Sequence, residues 1–113
     1  MTNNKKSTRY YSSRQEKKIA KQVKGTTVPN SGAIRFGAGD VTTDKWLFEA
    51  KTKTTESNSF SIKKEWIKKN QEEAFAIGKP YSALVIDFGD GEQHYLVDEK
   101  LFLKMLEAFN ETD

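Results

Sequence analysis

Hydrophobic positions along this chain change their period several times, and each change marks an element. After a polar opening that ends in Tyr10-Tyr11, Ser13-Arg14-Gln15-Glu16 has the spacing of a capping box. Ile19, Ala20 and Val23 then fall on one helical stripe, and Gly25 is a residue able to stop the helix. Residues 26–39 read as a Gly-rich connection with one short extended piece at Ala33–Phe36. Asp40-Val41 lead into a turn over Thr42–Lys45, and Trp46–Lys53 form the return strand of a hairpin. On that strand Trp46, Phe48 and Ala50 share one face, while Leu47, Glu49, Lys51 and Lys53 share the other.

A polar stretch at 54–60 separates this hairpin from a second helix predicted over Ser61–Ile77, with Ile62, Trp66, Ile67, Ala74 and Ile77 inward. Gly78 and Pro80 end it. Tyr81–Phe88 is the most apolar segment and reads as a central strand; Gly89-Asp-Gly-Glu92 turns it into a partner strand, Gln93–Val97. Asp98 is placed to cap a last amphipathic helix on which Leu101, Phe102, Met105, Leu106 and Phe109 face inward. The predicted order is α-β-β-α-β-β-α without internal repeat, an α/β fold with a mixed central sheet flanked by helices. Residues 1–11 read as a flexible basic arm and 12–113 as one domain.

Composition narrows the chemistry. At 113 residues with 35% hydrophobic positions, the chain has room for one modest core. It contains no cysteine, which excludes disulfides, thiolate zinc sites and cysteine nucleophiles. His94 is the only histidine, too few for a zinc site and expected on a strand surface. No apolar run approaches the roughly 20 residues of a membrane span, and no apolar segment behind Met1 suggests a signal peptide. Gly37-Ala-Gly39 is too short for a phosphate-binding loop. These features predict a soluble intracellular domain.

The net charge of +3 hides a gradient. Residues 1–30 carry +7, residues 31–80 carry +2 and residues 81–113 carry −6. A basic first third beside an acidic last third suits a polyanion-binding face with a repelling back, or simply a solvated basic tail.

The candidate chemistry lies in the central hairpin. A magnesium ion beside a phosphodiester wants oxygen ligands and keeps several waters, and a lysine on the same strand face can hold or polarise the attacking water. Glu49-Ala50-Lys51 meets this need, because positions i and i+2 of a strand point the same way. Asp40 can reach Glu49 across the turn. Two other acid-x-Lys triplets occur, at Glu16 and at Asp98. In a helix their members diverge by about 200°. The competing reading of Glu49 and Lys51 is a solvated pair on an exposed sheet face. Asp44 and Asp90 read as turn residues, and Gln71 as a polar position able to touch the site.

Taken together, a helix with Glu16, a loop with Ser31-Gly32, then Gly39-Asp40, Glu49-Ala50-Lys51 and a long helix resembles the PD-(D/E)XK nuclease superfamily. Within it the chain is most similar to small Holliday-junction resolvases of the archaeal type and their phage relatives, over about Ser12 to Phe88. Gly39 departs from the proline that many relatives carry before the aspartate. The resemblance implies a restriction-endonuclease-like core and a magnesium-dependent, structure-selective endonuclease, with manganese able to substitute. Asp40 and Glu49 would ligate the metal, Lys51 would assist the water, and Glu16 would reach the site from the first helix. Glu16 also fits the last place of the capping box, and both roles stay open. Ser31 would touch the scissile or adjacent phosphate, or serve only as a turn residue.

The resemblance further implies branched DNA as partner, a homodimer, no membrane, no small-molecule cofactor, and a cytoplasmic location (the host's, if phage-encoded). Branched DNA is read through phosphates and shape. Arg35, Lys53, Lys64 and Lys68 are the candidate contacts, with Lys63, Lys69 and the basic region from Lys5 to Lys24 around them. Tyr10 and Tyr11 are candidates to stack on exposed bases. Tyr81, Tyr95, Leu101, Phe102 and Phe109 could supply the dimer seam. A nuclease acting on another DNA substrate, and a non-catalytic basic nucleic-acid-binding module, are the alternatives.

Overall fold

The computed structural model describes residues 8–28 and 40–109, with side chains from residue 10 onward. The helix α1 runs over Thr8–Val23, followed by strands β1 (Thr26–Thr27), β2 (Asp40–Thr42) and β3 (Trp46–Thr52). Helix α2 (Lys64–Ala76), strands β4 (Tyr81–Asp87) and β5 (Gln93–Leu96), and helix α3 (Glu99–Phe109) complete the order. Five strands form one sheet in chain order, antiparallel except for the β3–β4 pair that α2 connects. The class is the expected mixed α/β; the strand β1 is an addition to the predicted order. Ala33–Phe36 lies outside the described residues.

Register assigns the faces. Val41, Phe48 and Ala83 are aligned across β2, β3 and β4, as are Ala50, Val85 and Tyr95 across β3, β4 and β5. Ile19 closes this face into a core with Val41, Phe48, Ala83 and Val85, while Trp46, Ala50 and Val97 pack around it. The opposite face aligns Asp40, Glu49, Leu84 and Leu96 in one row and Lys51, Ile86 and His94 in the next. Helix α2 covers that second face, burying Asn70 and Ala74. The period-2 alternation of β3 is therefore the partition between a hydrophobic core and a polar row.

Three helices differ from the sequence reading. Helix α1 starts at Thr8, so residues 8–11 are helical and the arm cannot reach to residue 11. Neither glycine nor proline interrupts residues 1–24, so nothing local stops the helix at Ser13. Arg14 also stacks over the Tyr10 ring one turn earlier, 5.8 Å from its centroid. Ser13 is consequently mid-helix and caps nothing. At the other end Lys24, with φ 58°, takes the left-handed position. Gly25 is needed for a different reason: a Cβ there would lie 2.5 Å from the Thr42 carbonyl oxygen.

Helix α2 starts at Lys64 and not at Ser61, leaving Ile62 exposed; Ile77 is exposed as well. Gly78, at φ 76°, ends it as expected. The third correction is α3. Asp98 Oδ1 accepts the Leu101 N–H at 2.8 Å, the predicted cap. Yet no α3 residue is buried, and Phe102, Met105, Leu106 and Phe109 are exposed, Phe109 to 85%. Its apolar stripe does not face the core of this chain, because α1 and α2 already cover the two sheet faces.

Candidate active site

Asp40 and Glu49 are direct partners in the antiparallel β2–β3 ladder. Their side chains thus project side by side from one face, with Lys51 two residues further along. Lys51 Nζ lies 3.2 Å from Glu49 Oε2. The pair is not a solvated surface contact: the side chains are 25% and 14% exposed. On its other side Lys51 Nζ sits 4.4 Å from the centroid of the Trp66 ring, which α2 brings over the strand.

Asp40 is the anomaly. It is 1% exposed, and among the described residues neither carboxylate oxygen has a hydrogen-bond partner; Glu49 Oε1 is likewise buried and unpartnered there. Burial pushes the Asp40 carboxyl up to about 8, and the charges of Glu49, Glu73 and Glu16 add to the effect while Lys51 opposes it. Three orphaned acceptor oxygens on neighbouring carboxylates are an arrangement that a cation relieves. Asp40 and Glu49 therefore fit a hard divalent ion, which takes its remaining positions from water or phosphate oxygen. Glu16 is close enough for its charge to raise Asp40, but among the described residues no three Asp, Glu or His side chains converge as a ligand cluster.

Glu73 is a residue the sequence reading missed. It stands on the same stripe of α2 as Trp66 and Asn70. Its carboxyl is raised by burial first and by Glu49 second, despite Lys69 Nζ at 3.9 Å. Polar Asn70 and Glu73 on the sheet-facing stripe were the available signal. Gln15 was missed too. It is buried on α1, and its Nε2 donates to the Lys51 and Val85 carbonyls, each at 3.0 Å.

An open cleft of about 480 Å³ lies over this site, lined by Glu49, Lys51, Trp66, Lys68, Lys69 and acidic residues of α2. Lys68 thus borders the site, and Lys64 is exposed one turn before it. Lys53 projects beyond Lys51 on the same face, 5.5 Å from the Phe60 ring centroid. Ser31 and Arg35 lie outside the described residues. Gln71 does not touch the site; its Nε2 donates to Asp98 Oδ2 at 3.0 Å. Asp90 has the expected turn role, accepting the Glu92 N–H at 3.0 Å. His94 is exposed on β5.

Among the described residues no helix is long and apolar enough to cross a membrane. No family model matches the chain, and neither the curated proteins nor the solved structures include a significant match.

Proposed function

We propose that this chain is a divalent-metal-dependent DNA endonuclease that hydrolyses phosphodiesters at branch points, four-way junctions above all, on a restriction-endonuclease-like core. The observation that carries the reading is the trio of buried, unpartnered oxygens on Asp40 and Glu49 beside the Lys51 ammonium. Asp40 and Glu49 would hold magnesium, with manganese able to substitute. When bound, the ion supplies Lewis-acid stabilisation of charge developing on the phosphate. The chain's own groups do the rest. Lys51, held between Glu49 and Trp66, donates a hydrogen bond that orients the attacking water or a phosphate oxygen. Water oxygen bonds to phosphorus and releases a proton to solvent, one ester P–O bond breaks, and the leaving oxygen takes a proton from solvent water. Glu16 adds negative charge that favours a cation at Asp40.

Lys53, Lys64 and Lys68 supply phosphate contacts around the cleft, and Arg14, Lys17, Lys18 and Lys21 make α1, across the sheet, a second basic surface. A homodimer agrees with α3, whose exposed Phe102, Met105, Leu106 and Phe109 alternate with both Glu and Lys, a mixture that can complement itself across a two-fold axis.

The test is a cleavage assay with a labelled four-way junction and a linear duplex of the same sequence, each with magnesium and with EDTA. The expected result is junction cutting in magnesium alone. Cutting of duplex equally well would assign a different DNA substrate. Junction binding in EDTA with no cutting in any metal would leave a non-catalytic binding module.

A further inference from the structure

A row of aromatic rings leads away from the candidate site along the face that α2 covers. Trp66 stands over Lys51, and its ring meets Phe60 edge-on with centroids 6.5 Å apart. Phe60 meets Phe88 at 5.9 Å, and Phe88 meets His94 at 5.5 Å, both again edge-on. Lysines accompany the row: Lys51 and Lys63 lie 4.4 and 6.0 Å from the Trp66 centroid, and Lys53 lies 5.5 Å from that of Phe60. None of the four rings is buried, and His94 is exposed.

The segment that carries Phe60 is fixed in place. Lys53 N–H donates to the Asp87 carbonyl at 3.0 Å and Ser57 N–H to the Phe88 carbonyl at 2.9 Å. Gly89, at φ 97°, lets the chain pass so close that a Cβ there would lie 2.6 Å from the Thr55 carbonyl oxygen. The row is thus preorganised between the ends of β3 and β4.

Lysines alone would serve to hold duplex phosphates, whose bases are stacked and turned inward. Partly open aromatic rings flanked by lysines suit something else, a strand whose bases are free to stack while its phosphates meet cations. We propose that the Trp66–Phe60–Phe88–His94 row, with Lys51, Lys53 and Lys63, binds an unpaired DNA strand that leads into the Asp40–Glu49 site. At a branch point, base pairs on one side of the scissile bond then open, and that strand's bases pass onto the row. That consequence rests on the nuclease reading; the binding does not.

The experiment uses the full-length Asp40→Asn protein in EDTA, so that nothing is cut. Fluorescence anisotropy follows binding of labelled oligo(dT) of about 16 nucleotides and of a blunt duplex of the same length. His94→Ala changes an exposed side chain, and Phe60→Leu keeps apolar bulk beneath the loop. Each should weaken oligo(dT) binding about five- to hundredfold, the range for one lost base stack, and change duplex binding less than about twofold. Oligo(dT) should also quench tryptophan emission, and Trp66→Phe should remove that response. Unchanged oligo(dT) affinity in both variants, or parallel losses on oligo(dT) and duplex, would overturn the proposal and make the row an ordinary packing cluster. The nuclease reading is judged separately, by wild-type cutting in magnesium: cutting without the selective losses sinks the row alone, and selective losses without cutting leave the row and sink the nuclease.

Discussion

The buried side-chain amide of Gln15 donates to the backbone carbonyl of Lys51 at 3.0 Å, joining the first helix to the strand residue that carries the site's lysine. The same nitrogen donates to the Val85 carbonyl and lies 2.9 Å from Gln93 Oε1, so one amide ties α1 to β3, β4 and β5. Gln93 Nε2 in turn donates to Asp87 Oδ2 at 2.7 Å, and Asp87 Oδ1 accepts the N–H groups of Gly89 and Gly91. Removing Gln15 leaves buried carbonyls without that donor. Gln15→Ala should cost about 1–3 kcal/mol of stability, read as a lower urea midpoint at unchanged m-value.

The two carboxylates and the lysine should separate in kinetics. Asp40→Asn or Glu49→Gln should lower cleavage about 1,000-fold or more, because metal-ion stabilisation is worth several kcal/mol and each 1.36 kcal/mol is tenfold. Junction binding in EDTA should stay within a few-fold of wild type, since the proposed phosphate contacts come from lysines and not from these carboxylates. Lys51→Ala should cut about 100-fold more slowly and still bind magnesium. Calorimetry that finds metal affinity lost with Lys51 would remove the lysine from its assigned role.

Asp40 also sets a pH dependence of stability whose sign follows from its raised carboxyl. Its pKa is 3.8 in the unfolded chain and about 8 in the fold. Between these values the folded chain binds more protons, so the stabilisation present below about 4 is lost progressively as pH rises toward 8. The metal-free protein should melt at a lower temperature at pH 8.5 than at pH 6, and Asp40→Asn should flatten that part of the profile. A difference that survives the Asn substitution would assign it to other groups.

Metal binding should reverse the same proton. A cation at Asp40 requires the carboxylate, so below about pH 8 binding should release up to about one proton and strengthen as pH rises. Calorimetry in buffers of differing ionisation enthalpy measures the release directly. Binding at pH 6.5 without proton release would place the ion elsewhere.

The helical start at Thr8 changes the useful truncation. Deleting residues 1–11 would remove the first turn of α1, so the test of the arm is deletion of residues 1–6, which takes away Lys5 and Lys6. If both contact phosphates, the slope of log K against log salt should flatten by up to about 1.8, or 0.9 per contact. An unchanged slope would show those lysines to be solvated.

The sequence by itself determined the element types, their chain order apart from β1, and the pairing at the heart of the site. Alternation along Trp46–Lys53 separates a core face from a polar face at any register that buries Phe48, and a short turn then leaves Asp40 beside Glu49. Tertiary structure decided what periodicity cannot express. Whether the Glu49–Lys51 pair is solvated depends on Trp66, a residue on α2 brought in by the crossover. The orphaned oxygens of Asp40 and the raised Glu73 carboxyl depend on how deeply neighbouring elements enclose them, a property of several segments at once. Helix α3 shows the same limit from the other side: its apolar stripe is plain in the sequence, but a stripe states only that something covers it. The core beneath α1 and α2 was already filled, and the stripe faces outward.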